Sequence, residues 1–305
     1  MVIVETTNPS DGRRLSPASR TSAARLTPFL TLIRIPNCIM IGLAVLVAET
    51  IGLGSLPSPE QAVFGFLAAF LLLAGTMVFN DIQDVQVDRV NSPDRPIPSG
   101  RVTIRQAYAL SIVFSTLALI SSLVLGVLTF LTALIALVLM AYYNTRGKKT
   151  GLLGNAVVSF NVALPFFFGG LAVSSLRPLL FIFFLLAFLA NTAREVAKGI
   201  ADVAGDSSKG IMTIAVTQGP KRAAQLTASF FVVAVLLSFL APVLDQKVSL
   251  FYYPGVVLAD LGFLYSSYRL MRDPTPTTVR KVKTQVLLWM LLGLVGFLMG
   301  GIQAL

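Results

Sequence analysis

Asn80-Asp81-Ile82-Gln83-Asp84-Val85-Gln86-Val87-Asp88-Arg89 follows directly on an apolar run over residues 62–79. Carboxylates and a carboxamide therefore gather where a membrane-type helix would meet water. At about 100° per residue, Asn80, Asp81, Asp84 and Asp88 share one face of a continuing helix. Like charges on one face repel unless something cationic lies between them. Oxygen donors in such a row suit Mg²⁺, which keeps waters and bridges a few carboxylates to substrate phosphates. By itself the stretch reads more simply as a solvated acidic helix end; a second cluster tips the reading.

That cluster is Arg194-Glu195-Val196-Ala197-Lys198-Gly199-Ile200-Ala201-Asp202-Val203-Ala204-Gly205-Asp206, which follows another apolar run. At helical pitch Arg194, Glu195, Lys198, Asp202 and Asp206 occupy one arc, and Val196, Ile200 and Val203 the opposite face. Asp202 and Asp206 can share a metal. Arg194 and Lys198, nearer the membrane, can meet phosphate oxygens; an ion pair such as Lys198–Asp202 is the structural alternative.

The 305 residues are 55% hydrophobic and 12% charged, with a mean hydropathy of +0.79, against about 25% charged for a soluble protein. A polytopic, all-α membrane protein is expected. The net charge of +10 reflects where basic residues sit, and no nucleic-acid motif accompanies it. The absence of histidine and the single Cys38 exclude histidine bases, disulfides and thiolate metal sites. Residues 1–25, rich in Ser, Thr, Pro and Arg, read as a disordered basic tail, leaving 26–305 as one transmembrane domain.

A span needs about 20 apolar residues. Nine candidates cover residues 35–54, 62–80, 107–126, 128–143, 153–173, 179–192, 223–244, 250–271 and 286–305. Gly126 calls for a tight hairpin, and the short fourth and sixth spans are expected to continue as helix into the polar residues that follow. Of the 24 Lys and Arg, only Arg177 and Lys247 fall on one side of this arrangement. The positive-inside rule then puts the N-terminus and every polar motif in the cytoplasm and the C-terminus outside. Both acidic clusters emerge on one side. Each lies at a helix C-terminal end, where the dipole repels anions, so a diphosphate needs Mg²⁺ between the clusters to bind there. That arrangement would ionise an allylic diphosphate.

Other polar features sit on the same side. Arg89, Arg95, Arg101 and Arg105 bracket the proline-rich stretch 93–100; the first two can hold a phosphate or pair with carboxylates, and the others suit anionic lipid. Tyr142-Tyr143-Asn144-Thr145-Arg146-Gly147-Lys148-Lys149 can be a plain basic loop or can offer a lysine to diphosphate and a tyrosine to a developing cation. Arg34 and Asn37 share an inward stripe. Arg272, Arg280, Lys281 and Lys283 suit anionic lipid or, more sharply, a phosphate-bearing acceptor.

With these residues in view, the chain resembles the UbiA family of intramembrane prenyltransferases. Asn80-Asp81-x-x-Asp84-x-x-x-Asp88 matches the family's first aspartate-rich motif and Asp202-x-x-x-Asp206 its second, over roughly residues 26–305. The resemblance implies nine helices around a central cavity, a cytoplasmic cap bearing the two motifs, Mg²⁺, and a polyprenyl diphosphate donor drawn from membrane lipid. It implies that Asn80, Asp81, Asp84, Asp88, Asp202 and Asp206 hold the metal. Tyr143 takes the family's tyrosine position, Lys149 or Lys148 its diphosphate lysine, and Asn37 its inner-cavity asparagine. Arg89, Arg95 and Lys198 join the diphosphate site. Arg34-Ile35-Pro36-Asn37-Cys38, the run ending at Asn155, and Arg194-Glu195-x-x-Lys198 are most similar to archaeal digeranylgeranylglyceryl phosphate synthases within that family.

The expected reaction is transfer of a geranylgeranyl group from its diphosphate to geranylgeranylglyceryl phosphate, a lipid-like acceptor, with no obligate protein partner and no nucleic acid. Rival readings are an aromatic prenyltransferase acting on 4-hydroxybenzoate or a similar quinone precursor, and a membrane carrier or scaffold without catalysis. A phosphatidyltransferase would need an Asp-Gly start and an Ala-Arg pair in one compact motif, which this chain lacks.

Overall fold

Caps and prolines set the helix starts. The computed structural model describes residues 22–208, 210–245 and 248–302, and every regular element among them is helical. The expected basic tail lies, up to residue 21, outside the described residues, as do Lys209, Lys247 and the last residues of the final span.

Helix α1 (Ser22–Ile33) packs Leu32 and Ile33 against Val78 and Ile82. Arg34, at φ 52°, turns the chain into α2 (Ile35–Leu53). Helix α3 (Pro59–Gln83) opens on a Ser58/Gln61 capping box with Pro59 in its first turn, two features that satisfy or remove the unpaired N–H groups of a helix start. The short α4 (Val85–Asn91) follows. Helix α5 (Ile104–Leu125) opens on a second box, Thr103/Gln106. Gly126, at φ 139°, makes the expected hairpin into α6 (Val127–Thr145), and the Thr129 hydroxyl closes it by donating to the Ser122 and Gly126 carbonyls at 2.7 Å.

A 3₁₀ turn (Gly147–Thr150) leads to α7 (Leu152–Ala163) and α8 (Pro165–Ala172). The single helix expected over 153–173 is divided because Pro165 has no N–H to donate and its ring crowds the preceding turn. Then come α9 (Pro178–Ala201), α10 (Val203–Ser208), α11 (Ile214–Gln218), α12 (Pro220–Ser238), α13 (Ala241–Leu244), α14 (Tyr252–Arg272) and α15 (Pro276–Gly301). The last helix begins ten residues before the expected span. Thr275 caps it and Pro276 occupies its first turn, so Arg280, Lys281 and Lys283 are helical residues and not part of a loop.

The acidic extensions are not continuous helix either. Both break at an aspartate: Asp84 at φ −89°, ψ 0° and Asp202 at φ −105°, ψ 6°. These lie in the sparsely populated bridge region, where many active-site residues sit. The ladder survives each bend. Asp84 N–H donates to Asn80 O at 3.0 Å and Asp88 N–H to Asp84 O at 2.9 Å; Asp206 N–H reaches Asp202 O at 2.8 Å. Aspartate is a weak helix former because its side chain competes for the backbone, and at the end of an apolar run nothing overrides that preference.

Eight of the described helical segments are long and apolar enough to cross a membrane, two of them bent units over Leu152–Ala172 and Pro220–Leu244. The protein is multi-pass. Helix α14 is of similar length, 21 residues, but Asp260, Ser266, Ser267, Arg269 and Arg272 make it more polar. It lies against α15 along glycines. A Cβ on Gly255 would stand 2.8 Å from backbone of Gly296, and one on Gly262 would strike the Trp289 ring. Small residues let membrane helices approach this closely.

The two ends of the bundle differ. At one end Arg177 pairs with Asp245 and donates to Ile51 O at 3.0 Å, while Ser175 Oγ donates to Gly52 O. The other end gathers the acidic motifs and most of the cations.

Gly255→Val would force α14 and α15 apart, because the clashing atoms are backbone. The expected loss is about 1–3 kcal/mol, read as a lower thermal unfolding midpoint in detergent. Gly293→Ala is the control, since the nearest atom to its Cβ, that of Ala259, is 3.6 Å away.

Candidate active site

The first motif is organised by a cation for each carboxylate. Asp81 is buried on the last turn of α3 and accepts from Arg34 at 2.9 Å, with Arg95 at 3.8 Å. Asp88, on α4, accepts from Arg95 at 2.6 Å. Asp84, at the bend, accepts from Lys148 at 2.7 Å and from the Asn80 amide at 3.1 Å. Each cation comes from a different segment: the α1–α2 junction, the proline-rich loop, and the 3₁₀ turn after α6. The repulsion that three stacked carboxylates would suffer is thereby relieved. Arg34 reaches Asp81 from a left-handed backbone, a conformation costing a non-glycine residue about 1–3 kcal/mol.

Outside the spans, titration follows these contacts. Burial pulls the Lys148 amine below the ordinary lysine value, and the adjacent Asp84 works against that pull. Burial acts likewise on Arg95, but the hydrogen bond and charge of Asp88 outweigh it and hold the guanidinium above its usual value.

The second motif is arranged differently from the expected arc. Glu195 is the centre. It accepts from Arg194 at 3.1 Å and from Lys198 at 3.3 Å, and its side chain is 9% exposed. Lys198 thus pairs with Glu195 and not with Asp202. Asp202 is exposed at the bend and Asp206 half-buried on α10. Val196 and Ile200 face inward with Ala215 and Ala223, as the pattern predicts.

Between these motifs opens a cavity of about 370 Å³. Its mouth is formed by Arg34, Asn37, Asn80, Tyr143, Glu195 and Lys198, and its interior by apolar residues including Phe166, Val256, Leu294 and Phe297. Asp260 and Ser238 also line it, with the Ser238 hydroxyl donating to Asp260 Oδ2 at 2.7 Å. A smaller apolar cavity of about 110 Å³ shares Ile41, Leu73, Thr76, Met77 and Met140 with the first.

The structure therefore brings Asn37, Asn80, Tyr143 and Lys198 to the mouth, and ties in Asp84 through Lys148 and Asp88 through Arg95. Arg89 and Lys149 are exposed. Lys148, not its neighbour, reaches the acidic motif. Asp84, Asp88, Asp202 and Asp206 do not line the cavity itself. Glu195, Asp260 and Trp289 line it without having been singled out as site residues, and Lys283, read from sequence as facing lipid or a phosphate-bearing acceptor, lines it too. For Lys283 the signal was available: Thr275 and Pro276 mark a helix start that carries it inward.

The family model described as the UbiA prenyltransferase family matches residues 41–300. A curated relative from Thermococcus sibiricus, named digeranylgeranylglyceryl phosphate synthase, is 30% identical over 274 residues, covering 90% of this chain and 97% of its own length. A solved structure of a digeranylgeranylglyceryl phosphate synthase superposes with a TM-score of 0.74 at 27% identity, covering 92% of this chain and 99% of that one. A UbiA homolog from Archaeoglobus fulgidus, bound to GPP and Mg²⁺, superposes with a TM-score of 0.63 at 18% identity, covering 88% and 99% of the two chains, and shares the fold.

Lys148→Met is expected to weaken binding of inorganic diphosphate, with Mg²⁺ present, about tenfold or more, the scale of a lost charge-assisted contact. Lys149→Met should stay within about twofold, since an exposed charge contributes little. Calorimetric titration of the two purified variants separates them.

Proposed function

Because the chain belongs to the UbiA prenyltransferase family, we propose that it transfers a geranylgeranyl group from geranylgeranyl diphosphate to the free hydroxyl of geranylgeranylglyceryl phosphate. The product is digeranylgeranylglyceryl phosphate, a diether of archaeal membrane lipid synthesis. The name of the Thermococcus sibiricus relative supports this reading. The observation that carries it is an apolar cavity whose polar mouth lies beside both acidic motifs. A carrier would instead need polar groups along a path across the membrane.

In the proposed reaction the bond between allylic C1 and the bridging oxygen breaks, and diphosphate leaves with the electron pair. The acceptor hydroxyl oxygen bonds to C1 and gives up its proton to the departing diphosphate or to an aspartate of the motifs. An alcohol is a weak nucleophile, so departure of diphosphate leads. Asn80, Asp84, Asp88, Asp202 and Asp206, with Asp81 in reserve, would hold Mg²⁺. Their oxygens are the hard donors that ion takes, and it is commonly held by one or two carboxylates plus substrate phosphate. Among the described residues no three acidic side chains converge on one point. When bound, the metal would neutralise charge on the departing group.

The chain's own residues supply the rest. Lys148 and Lys198 would bind diphosphate oxygens, with Arg95 positioning Asp88 and Arg89 at the rim. Tyr143 presents a ring and a phenol oxygen where an allylic cation develops, and such faces attract cations. Asn37 would orient the head of a substrate in the mouth. The apolar walls hold the isoprenoid chain and exclude water. We further propose that α14 is a ninth span, that residues 26–305 form one domain, and that the mouth faces the cytoplasm with the C-terminus outside. The distribution of Lys and Arg supports that orientation.

Purified protein is offered geranylgeranyl diphosphate with either geranylgeranylglyceryl phosphate or 4-hydroxybenzoate, and products are identified by mass. The diether is expected, EDTA should abolish it and Mg²⁺ restore it; a prenylated benzoate would move the assignment to quinone synthesis. Asp84→Ala and Asp202→Ala should each lower turnover by about 10²–10³-fold or more, the scale of losing one electrostatic stabiliser of a transition state, with unfolding midpoints preserved.

A further inference from the structure

We propose that Arg194 and Lys283 form an anion subsite for the phosphate monoester of the acceptor, separate from the Asp84–Lys148 side of the mouth. The inference rests on the acceptor assigned above.

Both residues line the main cavity, from α9 and α15. Arg194 spends one nitrogen on Glu195 at 3.1 Å; its Nε is buried without a hydrogen-bond partner. Lys283 has Lys198 and Arg194 among its electrostatic neighbours, with Asp202 and Glu195 on the opposing side. Of those two carboxylates only Glu195 lines the cavity, and it already receives Arg194 and Lys198. On this side of the cavity Arg194, Lys198 and Lys283 gather around Glu195, with Asp202 beyond the lining. Buried charge without a partner is costly, and a surplus of cations over carboxylates here suits the negative charge of a phosphate monoester near neutral pH.

Placement separates this group from two other uses. Arg272, Arg280 and Lys281, in the same basic run, are exposed and suit anionic headgroups of the surrounding bilayer. Lys283 instead faces the cavity. On the donor side, Lys148 is committed to Asp84. Lys198 adjoins both groups, because it influences Lys148 as well as Lys283. A substrate pair held so would place one phosphate group on each side of Lys198, with both apolar chains in the cavities below.

The test uses the full chain in phosphatidylcholine vesicles with Mg²⁺, geranylgeranyl diphosphate, and either geranylgeranylglyceryl phosphate or geranylgeranylglycerol. Wild type, Arg194→Gln and Lys283→Gln are compared. Each variant is expected to raise KM for the phosphate-bearing acceptor about tenfold or more, to leave the donor KM within about twofold, and to lose the preference over the phosphate-free alcohol. Lys283→Arg should restore much of that preference. An unchanged acceptor KM in variants that still release diphosphate from the donor would overturn the subsite. So would an effect seen only in vesicles containing anionic lipid, which would assign these cations to the bilayer. If wild type makes no diether at all, the assignment of the acceptor falls, and the subsite with it.

Discussion

A carboxylate at the end of a membrane helix needs a positive charge beside it, and that requirement shapes this site. Asp81, Asp84 and Asp88 each meet a cation carried by another segment. Those contacts tie the α1–α2 junction, the proline-rich loop and the turn after α6 to one helix end. Glu195 does the same within α9 for Arg194 and Lys198. Buried ion pairs contribute little net stability, since desolvation offsets attraction. Their effect here is positional: each fixes a segment beside the helix end that carries the acidic motif.

The pairing also bears on how the site works. Lys148 on Asp84 and Arg95 on Asp88 occupy carboxylates that the proposed mechanism gives to Mg²⁺. In that mechanism Asp84 and Asp88 would hold the metal, and Lys148 and Arg95 would bind phosphate oxygens or position the carboxylates. The bends at Asp84 and Asp202 lie in the same two motifs. They detach the acidic turns from the straight course of α3 and α9 while their backbone hydrogen bonds persist.

Much of the candidate site could be picked out in the sequence because its spacing was helical and its surroundings apolar. Asn80, Asp84, Asp202 and Lys198 stand out as polar residues adjoining long hydrophobic runs. What the pattern could not reveal was partner choice. An arc containing Arg194, Glu195, Lys198, Asp202 and Asp206 allows several ion pairs, and only packing of α9 against α12 and α15 buries Glu195 and leaves Asp202 exposed. Lys148 and Lys149 are equivalent in sequence terms; the 3₁₀ turn decides which one points inward. Asp260 in α14 is likewise an isolated acid in a span until Ser238 is found against it across the helix interface.

Composition and periodicity by themselves determined that the protein is helical, polytopic and charged mainly at one side, because burial of apolar side chains and of backbone polar groups in lipid permits few alternatives. They also located most helix starts and stops, since capping, proline and glycine act within a few residues. The tertiary structure alone decided which cation meets which carboxylate, and which of the cations faces a shared cavity. Those outcomes depend on contacts between residues 47 to 64 positions apart, such as Arg34 with Asp81 and Lys148 with Asp84, and a local pattern carries no information about such distances.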